Sequence, residues 1–372
     1  MSNELQAYLD SININGGYGA KSKSIANVLA GHNHRGDGII APASRDHQGY
    51  TFFTKPNLNL SYGNVNMARR LSFLANQDAN SMASAIRCML SPLVLDNWGA
   101  PVNNDTSTQP NAIGLPRSSI VDDRDAFIPL LSNTLTNLSG WPDVVAYVYT
   151  TKEGLRKESI SFIDSISDIY SIFDLTCVFQ NVDGNPILTL IAAWVEYSTR
   201  VAEGSLNPYA TSIIDNEIDY QTRIYRVTLD PTKQYVRQIA EACVGFPSSV
   251  PIGANFNYSN ESVLNVDNAN ISVRFSCTGA RYNDPLSIDN FNRVVETFNP
   301  SMRKDKRKDM VLLTTAERRI FNFHGYPRIS DNYEFQWWVT KETYEELQNH
   351  PNTPAPSLTS LNSAYANTLL KK

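Results

Sequence analysis

The chain has 372 residues, of which 42% are hydrophobic and 19% charged, and its formal net charge is −5. That length can bury a sizeable core, as one large domain or two ordinary ones. The lack of a basic excess argues against a general nucleic-acid binder, and no apolar run approaches the length of a membrane-spanning helix, so no membrane insertion is expected.

Asn, Ser and Thr take the place of the missing charge. This fits a loop-rich all-β or α+β protein, or a surface meant to be covered by neighbours, because charge is depleted at the centres of interfaces. Cys88, Cys177, Cys243 and Cys277 have no paired spacing; at least three lie on apolar faces and read as small hydrophobes, and a reducing compartment is the simple inference. The start, Met1-Ser2-Asn3-Glu4-Leu5, carries neither the basic nor the apolar region of a secretory signal.

Residues 1 to about 66 are rich in Gly, Asn and Ser and only weakly periodic. His32 and His34, with Asp37 and His47, invite a metal-site reading. The hydrolase patterns place an acid beside a further His, and a polar loop is the better account. His32-Asn33-His34 lacks the framework of an HNH nuclease, and Arg35-Gly36-Asp37 matches an adhesion tripeptide by chance. Tyr50 to Thr54 reads as a short strand, and Asn57 to Tyr62 again alternates, as core or as an edge offered to a neighbour. Between residues 67 and 90 the period becomes helical, through Met67, Leu71, Leu74, Met82, Ala85, Ile86 and Met89, with Asn76-Gln77-Asp78 separating two helices. Residues 96–118 read as an exposed loop, and Asp122 and Asp123 as a solvated pair without converging ligands. Residues 144–150 are β-branched and aromatic on both faces and predict a buried strand.

From Phe173 to Gln180 the period is two: Phe173, Leu175, Cys177 and Phe179 share one face. Asn185 as N-cap and Pro186 open a helix carrying Ile187, Leu190, Ile191, Trp194, Val195 and Ser198, and Gly204 stops it. Residues 219–229 form a strand. Asp230-Pro231 is expected to open a short helix with Val236, Ile239, Ala240 and Cys243 as its apolar stripe. The cleanest alternation follows. Ile271, Val273, Phe275 and Cys277 point one way and Ser272, Arg274, Ser276 and Thr278 the other, so a sheet with one buried and one wet face is predicted. Phe275 is expected to pack on the helix bearing Trp194, with Phe173 also in the core.

Residues 287–298 predict an amphipathic helix ended by Pro300. Arg303, Lys304, Lys306, Arg307 and Lys308, with Asp305 among them, form the charge run of a charge-poor chain. Residues 310–313 and 335–339 read as strands joined through a loop holding His324-Gly325-Tyr326-Pro327. Residues 350–372 read as a tail whose last stretch, 361–372, is either a short helix or disordered.

Trp194-Val195-Glu196-Tyr197, the turn from Gly204 to Asn207-Pro208-Tyr209, the run from Asn216 to Tyr225, Val250-Pro251-Ile252-Gly253 and Ile271 to Phe275 together resemble the tail-tube proteins of contractile-tailed bacteriophages. The resemblance covers about a third of the chain. It implies an α+β, mainly β, fold: a tail-tube-like β-barrel or sandwich with a packed helix, occupying residues 140–300. Around it stand an N-terminal segment 1–139, a C-terminal extension 301–349 with strands, and the tail. It also implies that copies join edge to edge into a ring, six-fold, around a channel. Partners would be the tail tube, baseplate hub or neck proteins and the sheath, with phage DNA passing through unbound. Location would be the virion tail, after assembly in the host cytoplasm.

The long segment before residue 140 departs from a plain tube subunit and favours a specialised ring at one end of the tube, a tube–baseplate junction or tube initiator. In that reading Ser272, Arg274, Ser276 and Thr278 face the channel or an adjoining ring, and the run Arg303 to Lys308 meets the next ring. No phosphate-cradling loop, Gly-x-Ser-x-Gly elbow or supported Cys/His pair appears, so no enzyme, cofactor or metal is expected. Two alternatives stand beside this: the main tail-tube subunit, and a tail-associated wall-degrading enzyme with a carboxylate pair in a deep cleft.

Overall fold

A computed structural model gives the fold of residues 49–91, 118–165, 171–209, 212–213, 218–230, 233–256, 269–320 and 323–349. The loop at 13–19, the histidine cluster at 32–47, the loop at 96–117 and the tail at 350–372 lie outside the described residues. The strands are β1 (Gly49–Phe53), β2 (Leu135–Ser139), β3 (Tyr147–Thr150), β4 (Ser161–Ser165), β5 (Ile172–Gln180), β6 (Thr222–Leu229), β7 (Val236–Pro247), β8 (Asn270–Tyr282), β9 (Met310–Leu312), β10 (Tyr326–Ile329) and β11 (Phe335–Thr340). The helices are α1 (Tyr62–Met67), α2 (Met82–Leu90), α3 (Pro129–Thr134), α4 (Pro186–Ala202), α5 (Pro285–Phe298), α6 (Thr315–Ile320) and α7 (Lys341–Asn349).

Six antiparallel strands build the main sheet in the order β1-β6-β7-β8-β5-β2. The fold is α+β and mostly sheet. Strands β1 and β2 come from before residue 140, so the sheet runs across that position without a break.

One face carries Phe53, Ile224, Leu175, Cys177, Phe179, Val273, Phe275 and Cys277, all buried with Leu190, Ile191 and Trp194 of α4 and with Ile86 and Met89 of α2. The Trp194 and Phe275 rings meet at 6.3 Å. Phe173 is partly buried at the rim of this core, 6.3 Å from Trp141. Burying a ring such as Phe275 contributes about 2–3 kcal/mol. Asn185 precedes α4 in a left-handed conformation (φ 49°), and its side chain makes no capping bond.

The opposite face is divided. Under β1, β6 and β7, a second core gathers Phe52, Tyr225, Val227 and Ile239 with Phe291 and Val295 of α5 and with Phe335, Trp337 and Ile329 of the small sheet β10-β11-β9. Residues 301–349 therefore roof half of this face. Among the described residues no element packs on the other half, under β8, β5 and β2.

Four expected elements differ. The helix expected after Asp230 is strand β7. Leu229 pairs with Val236 while Thr228 pairs with Gln238, so Arg237 is an extra residue. A β-bulge puts Val236 and Ile239 three apart on one face and imitates a helical period. Residues 57–62 alternate, but they form no ladder: Leu58 and Leu60 are buried in an extended run whose Leu58 N–H bonds Leu90 O at 3.0 Å, and Tyr62 already opens α1. Tyr326 opens strand β10 instead of lying in a loop, and Pro327 is accommodated because β10 is an edge.

The fourth difference is the largest. Residues 144–150 are exposed: β3 pairs only with β4, as a separate two-stranded hairpin. Val144, Val145, Tyr147, Val148 and Tyr149 each expose half or more of their surface. Apolar residues on both faces of a strand predict burial, and no described element of this chain provides it here.

Candidate assembly surfaces

The open half of the sheet is the first surface. Along β8, Ile271, Val273, Phe275 and Cys277 are buried, Ser272, Arg274 and Thr278 are exposed, and Ser276 is half-buried. Register places Thr176 opposite Arg274, Asp174 opposite Ser276 and Val178 opposite Ser272, while Asn137 and Ser139 of β2 continue the row. Arg274 lies 3.7 Å from Asp174. This wall is therefore hydroxyl-rich, with its base matched by an acid. A surface so balanced attracts a polyanion only weakly, because affinity for phosphates grows with each unpaired cation. Among the described residues β2 is the edge strand on this side of the sheet.

The β3–β4 hairpin is the second surface. It is inserted between β2 and β5, adjacent strands of the main sheet, and so leaves the sheet as an arm where β2 ends and β5 begins. Its base is anchored: Tyr282 donates its hydroxyl to Pro142 O at 2.6 Å, and Trp141 packs edge-on against Tyr282 at 6.1 Å. Val148 pairs with Ile163 on one face and Tyr149 with Phe162 on the other, and all four are exposed. The tip is a tight turn in which Gly154 N–H bonds Glu158 O at 2.9 Å and Lys157 N–H bonds Gly154 O at 3.0 Å. It holds Leu155 fully in solvent. Sequence reasoning missed this exposure. The available signal was the charged stretch Lys152 to Glu158 directly after the apolar run, which makes a hairpin tip a better continuation than a core strand.

The basic run is the third. Lys304, Lys306 and Lys308 are exposed, whereas Arg303 and Arg307 are half-buried. The Arg307 guanidinium lies 5.7 Å from the centre of the Trp338 ring, a cation–π contact that ties it to β11. The run is thus a folded turn, Arg307 N–H bonding Arg303 O at 3.0 Å, with three exposed ammonium groups.

Beneath the second core, Glu241 is fully buried between Arg223 (3.5 Å) and Arg281 (3.8 Å), with Asn290 of α5 donating to Oε1 at 3.4 Å. Burial and the Glu241 charge both push the neighbouring Tyr225 hydroxyl up. Nothing in the sequence period of β7 singles out this residue, because the bulge hides which face it takes.

A groove of about 660 Å³ runs beside α4, between the Arg69–Ala75 turn and the segment after β7. Leu188, Ala192 and Ala193 line it with Phe73, Ile252 and Phe256, and its carboxylate is Glu196. Burial pushes Glu196 up, but bonds from Arg200 (2.9 Å) and Arg70 (3.2 Å) outweigh it and hold the carboxyl below its usual range. A glycosidase needs two carboxylates, one kept protonated, and this groove supplies neither condition. Among the described residues there is also no cluster of three His, Cys, Asp or Glu able to hold a metal ion.

The profile of a protein family described as "Putative phage tail tube protein" matches residues 1–353. No curated protein matches the chain. Solved structures similar to it include the tube-terminating cap of the anti-feeding prophage, at 11% identity over 42% of this chain and 82% of that one, with a TM-score of 0.25. The sheath/tube terminator of an extracellular contractile injection system, PVC, is 11% identical over 42% and 87%, with a TM-score of 0.24. A chain of the PVC sheath–tube complex is 12% identical over 42% and 82%, with a TM-score of 0.25. Superpositions this loose carry no functional weight.

Proposed function

The chain belongs to the phage tail tube protein family, and on that premise we propose that it forms a ring at one end of the tail tube of a contractile-tailed phage, around the DNA channel, as a tube–baseplate junction or tube initiator. It is a structural component of the virion tail and not an enzyme. Assembled in the host cytoplasm, it has copies of itself, the tail tube, the sheath and a baseplate hub or neck protein as partners.

The arm carries this reading. Its exposed apolar side chains offer on the order of 1,000 Å², against about 800 Å² per partner in a standard interface. A monomer leaving such a ribbon bare on both faces would aggregate, and neighbouring copies provide the cover. The hydroxyl-rich open face, with Ser272, Arg274, Ser276 and Thr278, then lines the channel, where DNA slides past a wall with no net surplus of charge. The exposed lysines of the Arg303 to Lys308 run meet an acidic patch on the adjoining ring and set register more than affinity. The roof over half the sheet, from 301–349, gives the two sides of the ring different surfaces, which suits a terminal ring better than endless stacking. Cys88, Cys177, Cys243 and Cys277 are thiols and not disulfides, which fits assembly in a reducing cytoplasm.

Electron microscopy of the purified chain and of intact tails tests this. Closed rings confined to one end of the tube are the expected result, and scattered copies without rotational symmetry would overturn it. The family description favours one second reading, the repeating tube subunit, which would place this chain along the whole tube.

A further inference from the structure

We propose that the groove beside α4 is the seat for the arm tip of a neighbouring copy, so that subunits join head to tail, tip into groove. The inference rests on the ring reading and names the contact that closes the ring.

Three observations converge. First, the tip is preorganised. The bonds between Gly154 and Glu158 fix the turn, and the Arg156 N–H bonds Glu158 Oε2 at 2.8 Å, so presenting Leu155 costs little further ordering on binding. Second, the groove complements it. Small Ala192 and Ala193 leave depth between Leu188 and the rings of Phe73 and Phe256, and the latter is 81% exposed. At the rim, the exposed Arg70 offers a cation to a tip that carries Glu153 and Glu158, while Glu196 is already held by Arg70 and Arg200. Third, the two do not meet within one subunit. The arm leaves the sheet at the Ile172 end of β5, whereas the groove opens beside the first half of α4, which starts just past the other end of β5; Leu155 itself stands free. A protrusion and a recess at different places on one molecule make a heterologous contact, which closes into a ring when the rotation allows.

Sedimentation velocity on the full chain tests the contact with two variants. Leu155→Asp disables the tip and leaves the groove, while Ala192→Trp fills the groove and leaves the tip. Each alone should lose the large assembly, with association weakened at least about tenfold. Mixed one to one they should form dimers and nothing larger, because one live tip and one live groove remain per pair. Circular dichroism checks the fold, and Thr189→Arg on the groove wall replaces Ala192→Trp if that variant unfolds. Assembly of the groove variants at wild-type strength would overturn the proposal, as would a mixture that stays monomeric. A lowered melting temperature with intact assembly would overturn it too, by showing the groove filled by the chain itself. A folded wild-type chain that never associates would instead sink the ring reading, so the two failures are told apart.

Discussion

Strand β8 and the β3–β4 arm are built from similar residues and behave in opposite ways. In β8, Val273 and Phe275 alternate with Ser272, Arg274 and Ser276, and one face packs on α4 while the other is wet. In the arm, Val148 and Tyr149 sit side by side without polar alternation, and both faces stand in solvent. Alternation marks a sheet that the chain completes for itself. Its absence in a ribbon of two strands, which is marginal in water alone, is what the proposed cover by a neighbouring copy would account for. In β8 a lost side chain should cost stability. In the arm it should cost assembly.

The contrast breaks first at Phe275. Phe275→Ala empties the space between Trp194 and the sheet and should cost about 3–5 kcal/mol in chemical denaturation. A loss below about 1 kcal/mol would show that β8 is not a core strand. Glu241→Ala should follow at about 2–3 kcal/mol, because it leaves Arg223 and Arg281 facing each other beside a buried cavity; thermal unfolding measures it.

Asp125 sharpens the comparison at the margin of the second core. Burial raises its carboxyl to about 6, with the Lys55 charge and the Phe127 N–H giving partial relief. The folded value lies above the unfolded one, so the stability this group adds is whole below about pH 4 and is lost as pH rises through 6. Asp125→Asn keeps an acceptor for Phe127 and removes the titration. It should flatten that part of the profile and gain about 1–2 kcal/mol at pH 7. Melting temperatures between pH 4 and 7 would reveal it, and identical profiles would count against the assignment.

The smallest effect on folding belongs to the basic run. Reversing Lys304, Lys306 and Lys308 to Glu should leave the circular dichroism melt unchanged and impair joining to an adjacent tail protein, more so at low salt. Normal tails from this variant would return the run to the solvent. Arg307 is left out because its stacking on Trp338 makes it part of the fold.

Much of the fold was legible wherever one local rule acted alone. The period-two pattern located β5 and β8 and separated Phe275 from Ser276, and Pro186 and Gly204 bracketed α4. Legibility failed where two effects overlapped. In β7 a bulge shifted the face at Arg237, and Val236 and Ile239 took on a helical spacing that belongs to a strand. For 326–329, Pro327 fits only an edge strand, and nothing in the sequence says which strands are edges. The groove was invisible, since Phe73 and Phe256 come together only through the tertiary fold. The arm was misread for a different reason: Val144 to Tyr149 are apolar on both faces like a core strand, and no local rule separates that from a bare ribbon.

That last point is the account's centre, and sedimentation velocity on one arm variant tests it most directly. Val148→Lys together with Phe162→Lys puts a charge on each face of the ribbon, where the wild-type side chains touch no core. The melting curve should stay within about 0.5 kcal/mol of wild type, while wild type sediments as a closed ring and the variant as a monomer. A variant that loses stability by several kcal/mol, or one that assembles as well as wild type, would contradict an arm made to be covered by a neighbouring copy.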